Sequence, residues 1–218
     1  MFNNWFKIFG KQNLLFLIIS LIISSVTAQD RLIKPELYLG INGGITESQV
    51  MFNPSVAQGY LKGYNAGFVF RYIAEKNVGM QAELNFSQRG WDESNGSYTK
   101  QLNYIELPFM THIFIGKKTR FFINLGPKIS YLLSEKELVN QTLNSTQAEQ
   151  ITPIQNRFDY GLCGGLGILF NIKGNIIQLD TRLNYGLSDI YHNLKTDNFS
   201  VSNNFDLAVN LAWLIQIK

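Results

Sequence analysis

The chain has 218 residues, 45% of them hydrophobic, with 19 basic against 16 acidic side chains and a formal net charge of +3. Such a small excess, without a concentrated basic patch, argues against a nucleic-acid-binding protein. A single cysteine, Cys163, excludes an internal disulfide, and the two histidines, His112 and His192, are too few for the common zinc sites. We therefore expect no metal site and no cofactor, and we interpret Cys163 as a small residue on a strand.

The N-terminus has the composition of a secretory signal peptide. Two lysines precede an apolar run from Leu14 to Ile23, and small residues follow as far as Ala28. A run of about ten apolar residues is too short to cross a membrane core of roughly 30 Å as a helix. We expect cleavage after Ala28, so that residues 1–28 are a signal peptide and residues 29–218 form one mature domain.

The mature chain repeats an alternation of apolar and polar residues that is typical of β-strands. In the segment Val78–Gln88, residues such as Leu84 lie on an apolar face, and residues such as Glu83 lie on a hydrophilic face. Eight such strands are predicted. They are Glu36–Gly44, Gly63–Ile73, Val78–Gln88, Leu102–Ile115, Arg120–Leu133, Arg157–Phe170, Ile176–Leu187 and Asn204–Ile217.

The connections between these strands alternate between short and long. The turns at 74–77, 116–119 and 172–175 are short and polar, whereas the segment 134–156 is the longest connection. Outer-membrane barrels have short periplasmic turns and longer external loops. The sequence therefore predicts an all-β fold, an eight-stranded antiparallel up-and-down transmembrane β-barrel. One residue breaks the strand rules: Pro108 lacks a ladder donor, and we expect a β-bulge there.

The hydrophilic faces are predicted to fill the barrel interior. A lipocalin-like soluble barrel would instead keep its apolar residues inside and show polar ones to water. Both signs of charge occur on the inner face, so the charges can pair and form a polar plug. The expected lumen network consists of Arg71, Glu83, Glu106, Lys128, Asp180 and Arg182. Glu83 and Glu106 could alternatively form a catalytic carboxylate pair, but structural ion pairs are far commoner on such a face, so we expect no enzyme.

The longest connection is the best candidate for binding a partner. Exposed loops carried on a rigid scaffold are common binding surfaces, and this one is rich in Asn, Gln, Ser and Thr. The candidate partner-binding residues are Ser134, Asn140, Asn144, Gln147 and Asn156.

Several segments resemble the PorT-like family of Bacteroidetes outer-membrane β-barrel proteins. They are Gly63–Phe68, Gln81–Gly90, Leu102–Phe109, Phe121–Leu133 and Phe158–Gly167. The resemblance implies an outer-membrane location, contact with outer-membrane lipid, and a role like that of the founding member, which is associated with type IX secretion. The expected partners are then secretion-machinery or surface proteins. The family offers no catalytic residues to carry over.

Two other functional classes remain open from the residues. The first is a surface binding or adhesion barrel that acts through its extracellular loops. The second is a small enzyme acting on lipid, which would need a nucleophile or base at a lipid-accessible cavity, and the sequence shows neither. A deletion strain scored for secreted surface proteins would separate these classes from a secretion role.

Overall fold

The structure, a computed structural model, describes residues 31–93, 98–139, 153–192 and 199–218. The predicted signal peptide, 1–28, lies outside the described residues. Eight strands are present: β1 Arg31–Asn53, β2 Gln58–Glu75, β3 Val78–Glu93, β4 Tyr98–Gly116, β5 Thr119–Val139, β6 Phe158–Ile172, β7 Asn175–Asp189 and β8 Val201–Gln216. In this part of the chain, no helix is long and apolar enough to cross a membrane.

The strands form a closed barrel in which each strand pairs antiparallel with the next and β8 pairs with β1. Passing from partner to partner once around the barrel leads from Leu37 to Glu47, ten residues further along β1. Strand number and this stagger together set the tilt and diameter of a barrel, and eight strands leave an interior that side chains can fill. The predicted eight-stranded antiparallel barrel is confirmed.

The two faces of the wall have opposite chemistry. Leu84 and Leu183 are 44% and 52% exposed, whereas the neighbouring Glu83 and Arg182 are 3% and 5% exposed. Apolar side chains point outward and polar ones inward, the reverse of a soluble barrel and the arrangement that a lipid surround requires. Exposed aromatic residues also flank this apolar belt, as amphipathic rings do at a membrane interface. They are Tyr64, Tyr131, Tyr160 and Tyr185 toward the loop end, and Tyr72, Phe121, Phe170 and Trp213 toward the turn end.

The strands are longer than predicted, chiefly at the loop end. β1 continues to Asn53 instead of ending at Gly44, and only residues 54–57 separate it from β2. The prediction that Ser134 begins a loop is wrong, because β5 runs on to Val139. Ser134 lies within that strand, where its Oγ accepts a hydrogen bond of 2.9 Å from Asn103 Nδ2 of β4.

The β-bulge expected at Pro108 is absent, so that prediction is also wrong. Pro108 faces the lumen and stays in register opposite Lys128 of β5. On the β3 side the pairing is interrupted at Leu107 and Pro108, and then resumes without a shift. The donor that proline lacks is therefore missing from the β3–β4 ladder, and the strand keeps its course. The irregularity of the β4–β5 pair lies instead at Asn103/Tyr104.

Candidate functional site: a filled lumen and an extracellular end

The barrel interior has three layers. A polar middle is closed by one apolar cluster at the loop end and another at the turn end. The loop-end cluster, termed here the upper cap, consists of Val50, Phe52, Trp91, Tyr98, Leu102, Tyr104, Leu132, Ile154, Ile190, Tyr191 and Phe199. The turn-end cluster, termed here the lower cap, consists of Tyr38, Val69, Ile73, Phe114, Phe122, Leu169, Ile176, Ala212 and Leu214.

Arg89 organises the part of the polar middle beneath the upper cap. Its guanidinium contacts Glu106, and it lies 3.3 Å from Asp159 Oδ2 and 3.4 Å from Asp206 Oδ2. Lys128 Nζ lies 3.7 Å from Glu106 and 3.8 Å from Asp206, so the two cations share these carboxylates. Buried charges persist in proteins when they are paired and hydrogen-bonded in this way.

Arg182 organises a second cluster. It donates two hydrogen bonds to Glu83, of 2.8 and 3.0 Å, and a third of 3.2 Å to Asp180. The amides of Asn42 and Asn85 also donate to Glu83, at 3.0 and 2.8 Å. A bidentate arginine–carboxylate pair with further donors holds the Glu83 carboxylate in one orientation.

Arg71 differs from the other lumen cations in its partners. It binds amide oxygens, donating at 2.8 Å from Nε to Gln81 Oε1 and also contacting Gln178 Oε1. Nearby, His112 Nδ1 lies 2.7 Å from Asn124 Oδ1. The His112 ring packs between Phe114 and Phe122 of the lower cap, at centroid distances of 5.3 and 5.1 Å. His112 thus joins the polar middle to the lower cap.

Little free space remains in the polar middle. A polar cavity of about 10 Å³ lies between the Arg89 and Arg182 clusters. That volume is close to the minimum for a single water molecule. Since the caps close both ends, the lumen that the described residues enclose is a filled core without a continuous aqueous path.

The upper cap is built from aromatic rings of several strands. Phe52 of β1 packs edge-on against Trp91 of β3 at 5.3 Å and lies 4.6 Å from Phe199, which precedes β8. Tyr191, which follows β7, stacks on Phe199 at 5.9 Å. Burial, with the nearby Glu135 carboxylate, raises the pKa of the Tyr191 hydroxyl, so this residue remains neutral. The cap ties the ends of distant strands together above the lipid belt.

A buried lysine beside the upper cap links β4 to β5 through two salt bridges. The Lys100 side chain on β4 is fully buried, and its Nζ lies 3.0 Å from Glu135 and 2.9 Å from Glu137 of β5. The Glu135 carboxylate also accepts a hydrogen bond of 3.2 Å from the Ile154 backbone N–H. The extracellular ends of β4 and β5 are therefore fixed to the chain that leads into β6.

The structure buries all six residues of the predicted lumen network, but it divides them among three groups. Glu83, Asp180 and Arg182 form one cluster, and Glu106 and Lys128 belong to the Arg89 cluster. Arg71 stands apart with its glutamines. Glu83 and Glu106 do not share a partner cation. Within the described residues there is no group of three His, Cys, Asp or Glu side chains that could hold a metal ion.

The predicted partner loop is described only at its edges. Ser134 lies in β5, and Asn156 lies just before β6, where its Nδ2 donates 2.8 Å to the backbone oxygen of Asp189. Asn140, Asn144 and Gln147 lie outside the described residues.

The sequence interpretation missed Arg89 and Lys100. Both lie in residues 89–101, the predicted connection between the third and fourth strands. Their signal was present, because Arg89 and Trp91 continue the inward alternation of Ser87. The outward residues of this segment are no longer apolar, so it lacks the pattern of a membrane strand.

Comparison with solved structures finds other outer-membrane barrels. Ail, the attachment invasion locus protein of Yersinia pestis, is 14% identical with a TM-score of 0.45, covering 83% of this chain and 99% of Ail. Neisserial surface protein A is 12% identical with a TM-score of 0.46, covering 81% and 95%. OprG of Pseudomonas aeruginosa is 10% identical with a TM-score of 0.41, covering 83% and 93%. These likenesses concern the fold. No curated protein matches the chain.

The family comparison is more direct. Residues 27–192 match the family model described as outer membrane protein beta-barrel domain, which covers most of the chain. The closed barrel, the outward apolar belt and the filled polar lumen agree with that match. The protein resides in the outer membrane, and the chain belongs to the outer membrane protein beta-barrel domain family.

Proposed function

We propose that this protein is a non-enzymatic, non-conducting barrel that binds a partner protein at its extracellular end, as an accessory factor in protein secretion or envelope assembly. The observation that carries the proposal is the filled lumen. Salt bridges occupy its middle, and a cluster of buried apolar side chains closes each end. Since the filled lumen offers no path for transport, we assign the function to the surfaces outside the membrane.

The extracellular end is suited to binding because it is rigid and polar. The β1–β8 ladder continues to the pair Asn53↔Val201, and the β4–β5 ladder to Tyr98↔Val139. The outward side chains of this extension include charged groups such as Glu47, Lys62 and Lys136, unlike those of the belt below. A rigid platform that presents loops is the usual arrangement of a protein-binding scaffold.

The secretion role is supported by the resemblance of the strand segments to PorT-like proteins, including Gln81–Gly90 and Leu102–Phe109. The test is a deletion strain scored for surface and secreted proteins, and rescued with the intact gene. We expect loss of secreted cargo and full rescue. A deletion strain that secretes normally would refute the secretion role.

The hypothesis that the connection after β5 binds the partner is tested by deleting residues 140–152. This deletion spares the end of β5 and Ile154 of the upper cap. We expect a folded barrel that fails to rescue. A matched control replaces the periplasmic turn Lys117–Lys118 with Asn-Gly, which suits a two-residue hairpin. The control should rescue. Full rescue by the loop-deleted barrel would assign the function to another surface.

The alternative is a surface adhesion barrel that uses the same loops. It is favoured if the deletion strain secretes its cargo normally but loses binding to host surfaces or polysaccharide. Neighbouring genes for secretion machinery support the first role, and neighbouring genes for polysaccharide or host contact support the second.

A further inference from the structure

The regular pairing of the barrel wall is interrupted between β6 and β7 at the extracellular end. The pairing of these strands stops at Gly161↔Gly186, although β6 begins at Phe158 and β7 ends at Asp189. On their other sides, Phe158 lies opposite Tyr131 of β5, and Asp189 lies opposite Asn203 of β8 after a register shift that follows Tyr185. The regular β6–β7 ladder therefore ends short of the extracellular ends of both strands.

A cleft of about 510 Å³ occupies this gap. Its lower wall is apolar and faces lipid, because Phe158, Tyr160 and Leu187 are each about half exposed. Arg157 and His192, both exposed, lie at its upper rim. Tyr160 belongs to the tyrosine girdle at the loop end, which places the cleft at the level of the outer-leaflet headgroups.

The rim of the cleft carries one exposed cation, Arg157. Arg157 forms no ion pair with any residue that the structure describes, and its position is fixed because its carbonyl accepts 2.8 Å from the Leu132 N–H of β5. The one carboxylate in the lining, Asp189, accepts 2.6 Å from the Ser202 N–H through Oδ1. Asp189 is thus held at the β8 side of the cleft, and Arg157 is the cation that an acidic headgroup can contact.

The interrupted pairing does not offer a free strand edge to a peptide. Ser188 Oγ accepts 3.1 Å from the Tyr160 N–H, and Asn156 Nδ2 donates 2.8 Å to the Asp189 carbonyl. The backbone N–H groups of Gln155 and Asn156 both donate to the Ile190 carbonyl, at 3.2 and 3.1 Å. Backbone groups that a bound strand would need already have partners.

We propose that this cleft binds an anionic lipid of the outer leaflet, with its phosphate or carboxylate on Arg157 and its acyl chain along Phe158, Tyr160 and Leu187. A cation above an apolar wall complements an amphiphile whose acidic headgroup lies above its chains. The site is open sideways to the bilayer, so a lipid enters without leaving the membrane. The inference is independent of the secretion role and holds or fails separately from it.

The test uses the mature protein reconstituted in phosphatidylcholine with added phosphatidylglycerol, and native mass spectrometry counts the lipids that remain bound. We expect the wild type to retain phosphatidylglycerol selectively. Arg157→Gln should lower that retention about fivefold, since a basic residue at a membrane surface contributes about 1 kcal/mol to anionic lipid binding. Arg157→Lys should restore most of it. The matched control is Lys62→Gln, an exposed cation at the same end on β2, which should change nothing.

Three results would overturn the proposal. Equal lipid retention by wild type and Arg157→Gln would show that Arg157 binds no lipid. An equal loss of retention in Lys62→Gln would show that surface charge in general, not this cleft, attracts the lipid. Displacement of the lipid by inorganic phosphate alone would mean that the apolar wall contributes nothing. A photo-crosslinker at position 187 gives an independent readout in cells: adducts with anionic lipid that fall in Arg157→Gln support the proposal, and peptide adducts or lipid adducts that Arg157→Gln leaves unchanged refute it. Folding of each variant is checked by heat-modifiable electrophoretic mobility.

Discussion

Replacing Arg182 with methionine should destabilise the barrel strongly. The arginine pairs with two buried carboxylates, binding Glu83 at 2.8 and 3.0 Å and Asp180 at 3.2 Å. Removing one partner of a buried pair leaves an uncompensated charge, which typically costs about 3–5 kcal/mol. Glu83→Gln should cost less, about 1–3 kcal/mol, because Arg182 retains Asp180 and the new amide can still accept a hydrogen bond.

The measurement is the free energy of unfolding in guanidinium chloride, with the protein in lipid vesicles and tryptophan fluorescence as the signal. The double variant Arg182→Met/Glu83→Gln completes a cycle and should cost less than the sum of the single variants, because the pair is coupled. Thr181→Met is the matched control. It makes the same apolar side chain one residue earlier, on the lipid face, and should be neutral or stabilising. If Arg182→Met lowers the free energy of unfolding by less than about 1 kcal/mol, the buried carboxylates do not depend on the Arg182 charge and the reasoning is refuted.

Three further predictions concern location, facing and conduction. The mature chain should fractionate with the outer membrane and begin at Gln29, as N-terminal sequencing would show; recovery as a soluble periplasmic monomer contradicts this. Leu84→Arg should lower the free energy of unfolding by about 2–4 kcal/mol if residue 84 lies near the bilayer midplane. Lipid-borne reagents should label single cysteines at positions 84 and 183 but not at 83 or 182, and reversed labelling would indicate a register error. Because the lumen is filled, planar bilayers should show no large, stable conductance, and porin-like channels would refute the capped interior.

The facing of the membrane belt could be predicted because it depends on local alternation. A strand exposes every second residue, and in lipid the exposed set must be apolar, so Leu84 and Glu83 can be assigned to opposite faces from sequence alone. The same rule fails above the membrane. In the upper half of β1 the outward positions include Glu47 and Gln49, and water tolerates them, so the strand loses its apolar signature while its pairing continues.

The partners within the lumen could not be predicted, because they depend on which strands face each other across the barrel. Sequence places Arg71 and Arg182 on inner faces alike, yet one binds glutamine oxygens and the other binds carboxylates. The error at Pro108 has a similar origin. A closed barrel can omit the hydrogen bonds at that position because its ladders on both sides of the gap hold the register. A rule on proline in strands that considers only the neighbouring residues does not include this support from distant strand pairs.

The lumen network also determines how the barrel must assemble. Arg182 of β7 binds Glu83 of β3, 99 residues apart in the chain, and Arg89 of β3 needs Asp206 from the last strand. Until β8 joins β1, Arg89 and Lys128 lack the Asp206 carboxylate, and a buried cation without its counter-charge is unfavourable. Closure of the wall and neutralisation of the interior are therefore one cooperative event. A chain truncated before β8 would therefore be an open sheet whose inner face carries Arg89 and Lys128 without Asp206.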